Sequence, residues 1–480
     1  MKLKHAVLDL LSSIKENFQR DPYAITLLLG LPLLGHVFES TMGFYKLKYM
    51  SFFLIFLGFF AWSYFKKLET GPKQITHWGE KVLYLNLLFW GFMMAVNPHF
   101  EVPENKILLG YSRAVFALNF LIIILLNLSF FWPDKFQWLK NIKREKWLVF
   151  ANVLMLHSYF IVPYVTTNPA IDVFQVIKLG AVDLLAGKNP FSQMYPILDF
   201  LTGAIWESGY CYWPGVLLTT TFSEYVFGDP RIIYAIGIGL ATFLFYRVAL
   251  QRGWKKEMAM VLSLTWLTFP TAILTIELTW NEFILIIYFS LFSYFLLQSR
   301  LLVSAIFFGF LIASKQYTAF FGLVMGAYLL RSRGIKETLQ FTAISLSSFG
   351  LMMIPFWVWH WDDFYKYTIT YLEGVKERAD GFTLIAFGMN SLDILPHPYF
   401  YLAVYAIGTI VISIYLLKKK RNLRDLFVSF YLMYAVIFLF GKQAFMGYYY
   451  LHCYILFFII VLSLSSKPKD EIAHDIARKV

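Results

Sequence analysis

Cysteine is scarce in this chain: two occur in 480 residues, Cys211 and Cys453. One lies at a loop end and the other inside a hydrophobic run, which excludes a disulfide framework and leaves two free thiols. Charge is scarce as well. Asp, Glu, Lys and Arg together make up 15% of the residues, against about 25% in soluble domains. Glycine-rich phosphate-binding motifs are missing, so no nucleotide-binding loop is expected. Internal repeats and low-complexity tracts are missing too, which weighs against a transporter built from matched halves.

What is present is apolar surface. Hydrophobic residues reach 59% and aromatic ones 20%, including 50 Phe. A chain of this size can bury only part of that, and the excess faces lipid. The net charge of +12 fits a basic nucleic-acid binder less well than a membrane protein, because the positive residues gather in short connectors between hydrophobic runs. The opening segment 1–20 is amphipathic and carries Asp9 and Glu16, without the continuous apolar core of a cleavable signal.

Runs long enough to span a bilayer, or nearly so, extend from 24–38 to 445–464. Residues 301–330 are too long for one upright helix and are interrupted by Ser314-Lys315-Gln316, so they are read as two short helices meeting there. The pattern predicts an all-α polytopic membrane protein with about 14 membrane helices. Basic connectors at 66–81, 135–146, 252–256, 331–336 and 418–421 all face the cytoplasm if residues 212–227 form a re-entrant segment. If that segment crosses, the 252–256 connector faces outward instead. The first arrangement satisfies the positive-inside rule throughout and places both termini in the cytoplasm. The connector 135–146 separates a four-helix amino-terminal module (1–140) from a core (147–465), and 466–480 is a cytoplasmic tail.

Two long loops, 166–212 and 360–398, then share the non-cytoplasmic side with most of the unusual polar residues. These are Asp172, Trp280-Asn281-Glu282, Lys315-Gln316, His360, Lys442-Gln443 and a tyrosine run that includes Tyr448, Tyr449 and Tyr450. Asn168-Pro169 and Gly187 bracket a helix over 170–186 that lies along the membrane surface, with Asp172, Val176, Leu179 and Asp183 on one face. Asp172 is either a general base for an acceptor hydroxyl or a carboxylate stabilising a first helical turn. Lys315 and Lys442 each adjoin a Gln between apolar segments. Either they meet a carboxylate or a lipid phosphate, or they snorkel to the interface. Arg231, His360 and Arg378 are the next cations on that side.

Asp172, the run Gly187-Lys188-Asn189-Pro190-Phe191, Tyr195-Pro196, Tyr212-Trp213-Pro214-Gly215, Phe227-Gly228-Asp229-Pro230-Arg231, Lys315-Gln316 and a tyrosine-rich last helix occur in a telling order. Over roughly 147–464 this order resembles the C-type glycosyltransferase (GT-C) superfamily, with the polyprenyl-phosphate-mannose-dependent mannosyltransferases the closest branch. The resemblance implies a GT-C-like fold and an inverting transferase. Such an enzyme moves mannose or another hexose from a polyprenyl-phosphate donor to a lipid-linked or glycan acceptor on the non-cytoplasmic face. The membrane would be the plasma membrane in a prokaryote and the endoplasmic reticulum in a eukaryote. It also implies Asp172 as catalytic base. Substrate contacts are expected from Lys188, Asn189, Tyr195, Trp213, Glu282, Lys315, Gln316, His360, Lys442, Gln443 and Tyr449. The chain departs from the pattern in its four preceding helices and in lacking an Asp-x-Asp pair after the first core helix, so no metal and no cofactor are expected. The competing reading is a lipid or polysaccharide transporter or flippase without transferase activity.

Overall fold

The computed structural model describes residues 22–66, 73–75, 77–98, 100, 103–135, 143–169, 171–198, 204–269, 271–397, 399–418 and 421–465. The amphipathic start (1–20), the tail (466–480) and parts of the basic connectors (67–72, 136–142 and 419–420) lie outside them. The described residues are overwhelmingly helical. In chain order come α1 (Pro22–Thr41), α2 (Leu47–Lys66), α3 (His77–Val96), α4 (Lys106–Phe131) and α5 (Arg144–Val165). A surface helix follows, α6 (Asp172–Leu185), with a short antiparallel hairpin, β2 (Met194–Leu198) and β3 (Ile205–Gly209). Next are α7 (Pro214–Phe227), α8 (Ile232–Gln251), α9 (Lys256–Leu267), α10 (Ala272–Glu277) and α11 (Glu282–Leu297). The last part holds α12 (Leu301–Ile312), α13 (Phe320–Ser332), α14 (Ile335–Trp359), α15 (Trp361–Tyr365), α16 (Leu384–Leu392), α17 (Tyr399–Lys418), α18 (Leu423–Leu439) and α19 (Met446–Ser463).

Eight of these, α1, α2, α4, α5, α8, α14, α17 and α19, are long and apolar enough to cross a membrane. The chain is therefore a multi-pass membrane protein. Other apolar runs are broken. Residues 301–330 form α12, a 3₁₀ turn at Gln316–Ala319 and α13, so the two short helices do meet around Lys315. The apolar run 258–278 is divided into α9 and α10, separated where Thr271 adopts φ +78°. A β-branched residue in that region cannot continue an α-helix.

Helix α19 is apolar on every side and buried along nearly its whole length. Such a helix belongs at the centre of a bundle, and α1, α8, α11 and α18 surround it. Helices α1–α4 are not a detached unit. One hydrophobic cluster runs continuously from Tyr23 to Leu464, with α1 packed on α19 and α3 on α9.

The basic connectors gather at one end of the bundle. There β1 (Lys73–Gln74) pairs in parallel with β4 (Leu464–Ser465). The Trp254 indole donates to the Val461 carbonyl (3.3 Å), and Arg144 pairs with Glu257 (3.2 Å). Polar residues 277–282 and 313–316 sit at the other end. Both ends of α7 lie with them. Its first turn is bound through the Gly215 amide to the Ala313 carbonyl (2.8 Å). Just past its last turn, Arg231 donates to the Thr166 carbonyl (2.7 Å), and Thr166 Oγ1 donates to Glu277 (2.5 Å). The segment thus lies across the bundle end without traversing it.

Candidate functional site

Helix α6 is where the site begins. Its buried face comprises Phe174, Val176, Ile177, Gly180 and Ala181, a helical spacing that pins the helix down on one side. Leu179, expected to share the buried stripe with Val176, is exposed, because the helix turns that side outward along the bundle rim. Arg231, fully buried, fastens the preceding chain. Its guanidinium donates to the carbonyls of Thr166 (2.7 Å), Pro163 (3.0 Å) and Thr167 (3.3 Å), forms a forked pair with Asp229, and lies over the Phe174 ring at 4.6 Å. Each guanidinium nitrogen is already bonded to protein oxygens and the side chain is fully buried, so Arg231 acts as a structural clamp.

The clamp presents Asp172, the first residue of α6, to a cavity of about 320 Å³. Other walls of that cavity are Tyr212, Trp280-Asn281-Glu282, Lys315, Arg378, Gln443 and Tyr448. Asp172 Oδ1 accepts a hydrogen bond from the Val173 amide (2.8 Å), so the helix-stabilising contact is present. The carboxylate is open to the cavity but recessed among protein atoms. That desolvation raises its pKa, opposed by the Val173 amide and by the Arg378 charge.

Opposite lies an ion pair. Lys315, 8% exposed, stands at the break between α12 and α13 and bonds Glu282 Oε1 at 2.5 Å. Its ammonium also lies 4.6 Å from the Tyr448 ring centroid. The cost of a cation at that depth is therefore met by a carboxylate at the start of α11. An added Cβ at Gly447 would sit 2.9 Å from Glu282 Oε2 and 3.1 Å from the Trp280 ring, so a side chain there would press on both. Arg378 is half exposed. It forms a forked pair with Asp380 (2.7 Å for both bonds), which lowers the Asp380 pKa, and its guanidinium stacks 5.1 Å from the Phe445 ring.

Asp172, Glu282, Lys315 and Gln443 thus come together, while other expected residues serve elsewhere. Gln316 donates to the Thr368 carbonyl (3.0 Å) beside the cavity. Lys442 turns away and donates to the Val375 carbonyl (3.1 Å). Lys188 pairs with Asp183 (3.4 Å), Asn189 caps the 3₁₀ turn Pro190–Ser192, and Tyr195 donates to the Pro190 carbonyl (3.2 Å). These three support the far end of α6. Trp213 packs edge-on against Phe349, His360 pairs with Asp363 (3.1 Å), and Tyr449 donates to the Phe382 carbonyl (2.6 Å) while stacking on Phe38. Among the described residues no group of three or more His, Cys, Asp or Glu converges as a metal-ligand set.

Beside the cavity lies an apolar groove of about 760 Å³. It begins at Trp213, Ile312 and Ala319, which flank the Lys315 break, and runs between α13, α14 and α17 to Leu330 and Leu417 near the basic end.

Residues 210–441 match the model of glycosyltransferase family 87. This is a family of GT-C-type membrane glycosyltransferases. No curated protein matches the chain. The match makes this stretch similar to membrane glycosyltransferases, and it contains Tyr212, Glu282, Lys315 and Arg378 of the cavity. Asp172, Gln443 and Tyr448 come from the segments on either side of it.

Proposed function

We propose that this membrane protein is a glycosyltransferase that moves a hexose, mannose above others, from a polyprenyl-phosphate donor to a lipid-linked or glycan acceptor, with inversion at the anomeric carbon. The observation that carries this reading is the composition of the cavity. A recessed carboxylate, Asp172, shares the cavity with Arg378 and with Lys315, itself paired to Glu282, and an apolar groove of lipid dimensions starts next to it.

Asp172 takes the proton of the acceptor hydroxyl as that oxygen attacks the anomeric carbon. The bond from the anomeric carbon to the phosphate oxygen breaks, and the polyprenyl phosphate leaves with the electron pair. Arg378 can still donate toward that phosphate beyond its pair with Asp380, whereas Lys315 is already bound to Glu282 and adds field more than a free contact. The positive-inside rule places the basic end in the cytoplasm, so the reaction occurs on the opposite face, with both termini cytoplasmic.

The test is incubation of purified protein with a panel of polyprenyl-phosphate sugars and membrane lipids, with products read by mass spectrometry and anomeric configuration by NMR. A transferred hexose of inverted configuration is expected. Absence of transfer from every polyprenyl-phosphate donor, or retention of configuration, overturns the reading.

A further inference from the structure

The family match leaves the first four helices without a role, yet one of their residues stands in the cavity wall. Phe44 lies in the turn between α1 and α2, is 47% exposed, and lines the same cavity as Asp172. The turn is held from three sides. The Phe44 amide bonds back to Thr41 (2.9 Å), the Tyr45 amide donates to the Asp380 carbonyl (2.8 Å), and Phe44 bridges Gly381. Gly43, at φ +74°, presses on the start of α19 so closely that a Cβ would lie 1.9 Å from the Met446 nitrogen. Met42 beside it is a non-glycine residue at φ +55°, a conformation that persists only where the surroundings enforce it.

This rigid turn sets the Phe44 ring edge-on to Phe445 (5.6 Å), and Arg378 stacks on Phe445 as well. An aromatic ring exposed in a recess that mixes aromatic with charged side chains, next to a base and a cation, suits a ligand with one apolar face and a polar rim. A pyranose ring is such a ligand: its axial C–H groups pack on an aromatic ring while its hydroxyls reach polar neighbours. We infer that Phe44 is a substrate-contacting residue that packs against the transferred hexose, so that the amino-terminal helices complete the active site. This rests on the transferase reading above.

Two measurements on the full-length protein test it. In nanodiscs containing phosphatidylglycerol and decaprenyl-phosphate mannose, p-benzoylphenylalanine is placed at position 44 or, as a reference on the cavity's other wall, at 448, and irradiated. Adducts bearing mannose are expected at both positions. Mannose-bearing adducts at 448 with only phospholipid at 44 put Phe44 against the bilayer and overturn the inference, leaving the transferase reading intact. Only phospholipid at both positions overturns both. In turnover assays Phe44→Leu should raise the donor KM about ten-fold with kcat nearly unchanged, and Phe44→Trp should restore it. An unchanged KM for Phe44→Leu overturns the inference.

Discussion

Asp172 has one carboxylate and two calls upon it: one oxygen accepts the Val173 amide, and the cavity claims the rest. Asp172→Asn keeps the size and the first-turn contact but removes the base. Folding should persist while turnover falls about 10²–10⁴-fold. Asp183→Asn, at the far end of α6 and paired with Lys188, should have a much milder effect; equal rates for Asp172→Asn and wild type would reduce Asp172 to a helix stabiliser. The raised pKa of Asp172 has a definite consequence for pH. A base works deprotonated, so turnover rises with pH through that pKa and levels off above it. The rising limb should therefore lie above about 4, where an ordinary aspartate titrates. Arg378 opposes the upward shift, so Arg378→Gln should move the limb to still higher pH; a limb that moves down contradicts this assignment. Lys315 needs different handling. A free lysine could be replaced by methionine with little harm, but Lys315 is bonded to a buried Glu282. Lys315→Met should cost about 3–5 kcal/mol by stranding that carboxylate. Adding Glu282→Gln should recover much of the loss, measured by thermal unfolding in detergent. Additive losses would argue against the pair.

At the scale of elements, the site depends on how α6 is fastened. Arg231→Met removes the guanidinium that ties the end of α5 to Asp229 and Phe174. A loss of about 3–5 kcal/mol is expected from breaking the buried pair, seen as a lowered melting temperature, whereas Asp172→Asn should melt like wild type. A melting temperature unchanged by Arg231→Met would refute the clamp. Much of this layer was legible beforehand. The polar tripeptide at 314–316 announced a break because charge inside an apolar run cannot face lipid, and Asn-Pro and Gly bracketed α6 to within two residues. What local pattern could not reveal was pairing across distance. Glu282 and Lys315 are far apart in sequence, and only the packing of α11 against α12 joins them. Lys442 has the same local signature as Lys315, a Lys-Gln between apolar segments, yet it turns to a loop carbonyl. Phe44 gave no signal at all, since an aromatic in a membrane protein is indistinguishable by sequence from an interface residue.

For the whole molecule, the decisive question is which loops share a side of the membrane. Every wall of the cavity comes from the end of the bundle opposite the basic connectors: the α1–α2 turn, the start of α6, the Trp280–Glu282 turn, the Lys315 break, the loop at Arg378 and the start of α19. Segment 214–227 begins at the Ala313 carbonyl and is followed by Arg231 bound to Thr166 beside Glu277, at that same end, which allows the connectors near 66–81, 143–146 and 252–256 to stay together. A traversing segment would instead invert everything from α8 onward and place Asp172 and Lys315 on opposite sides of the bilayer. Single cysteines in a background lacking Cys211 and Cys453 distinguish the two. A membrane-impermeant maleimide applied to intact cells should label positions 188 and 361, in the two long loops, and spare 333 and 418 until the membrane is opened. Label at 188 without label at 361 would separate the loops and with them the shared cavity. Label at 333 from outside would reverse the orientation and move the proposed reaction to the cytoplasmic face.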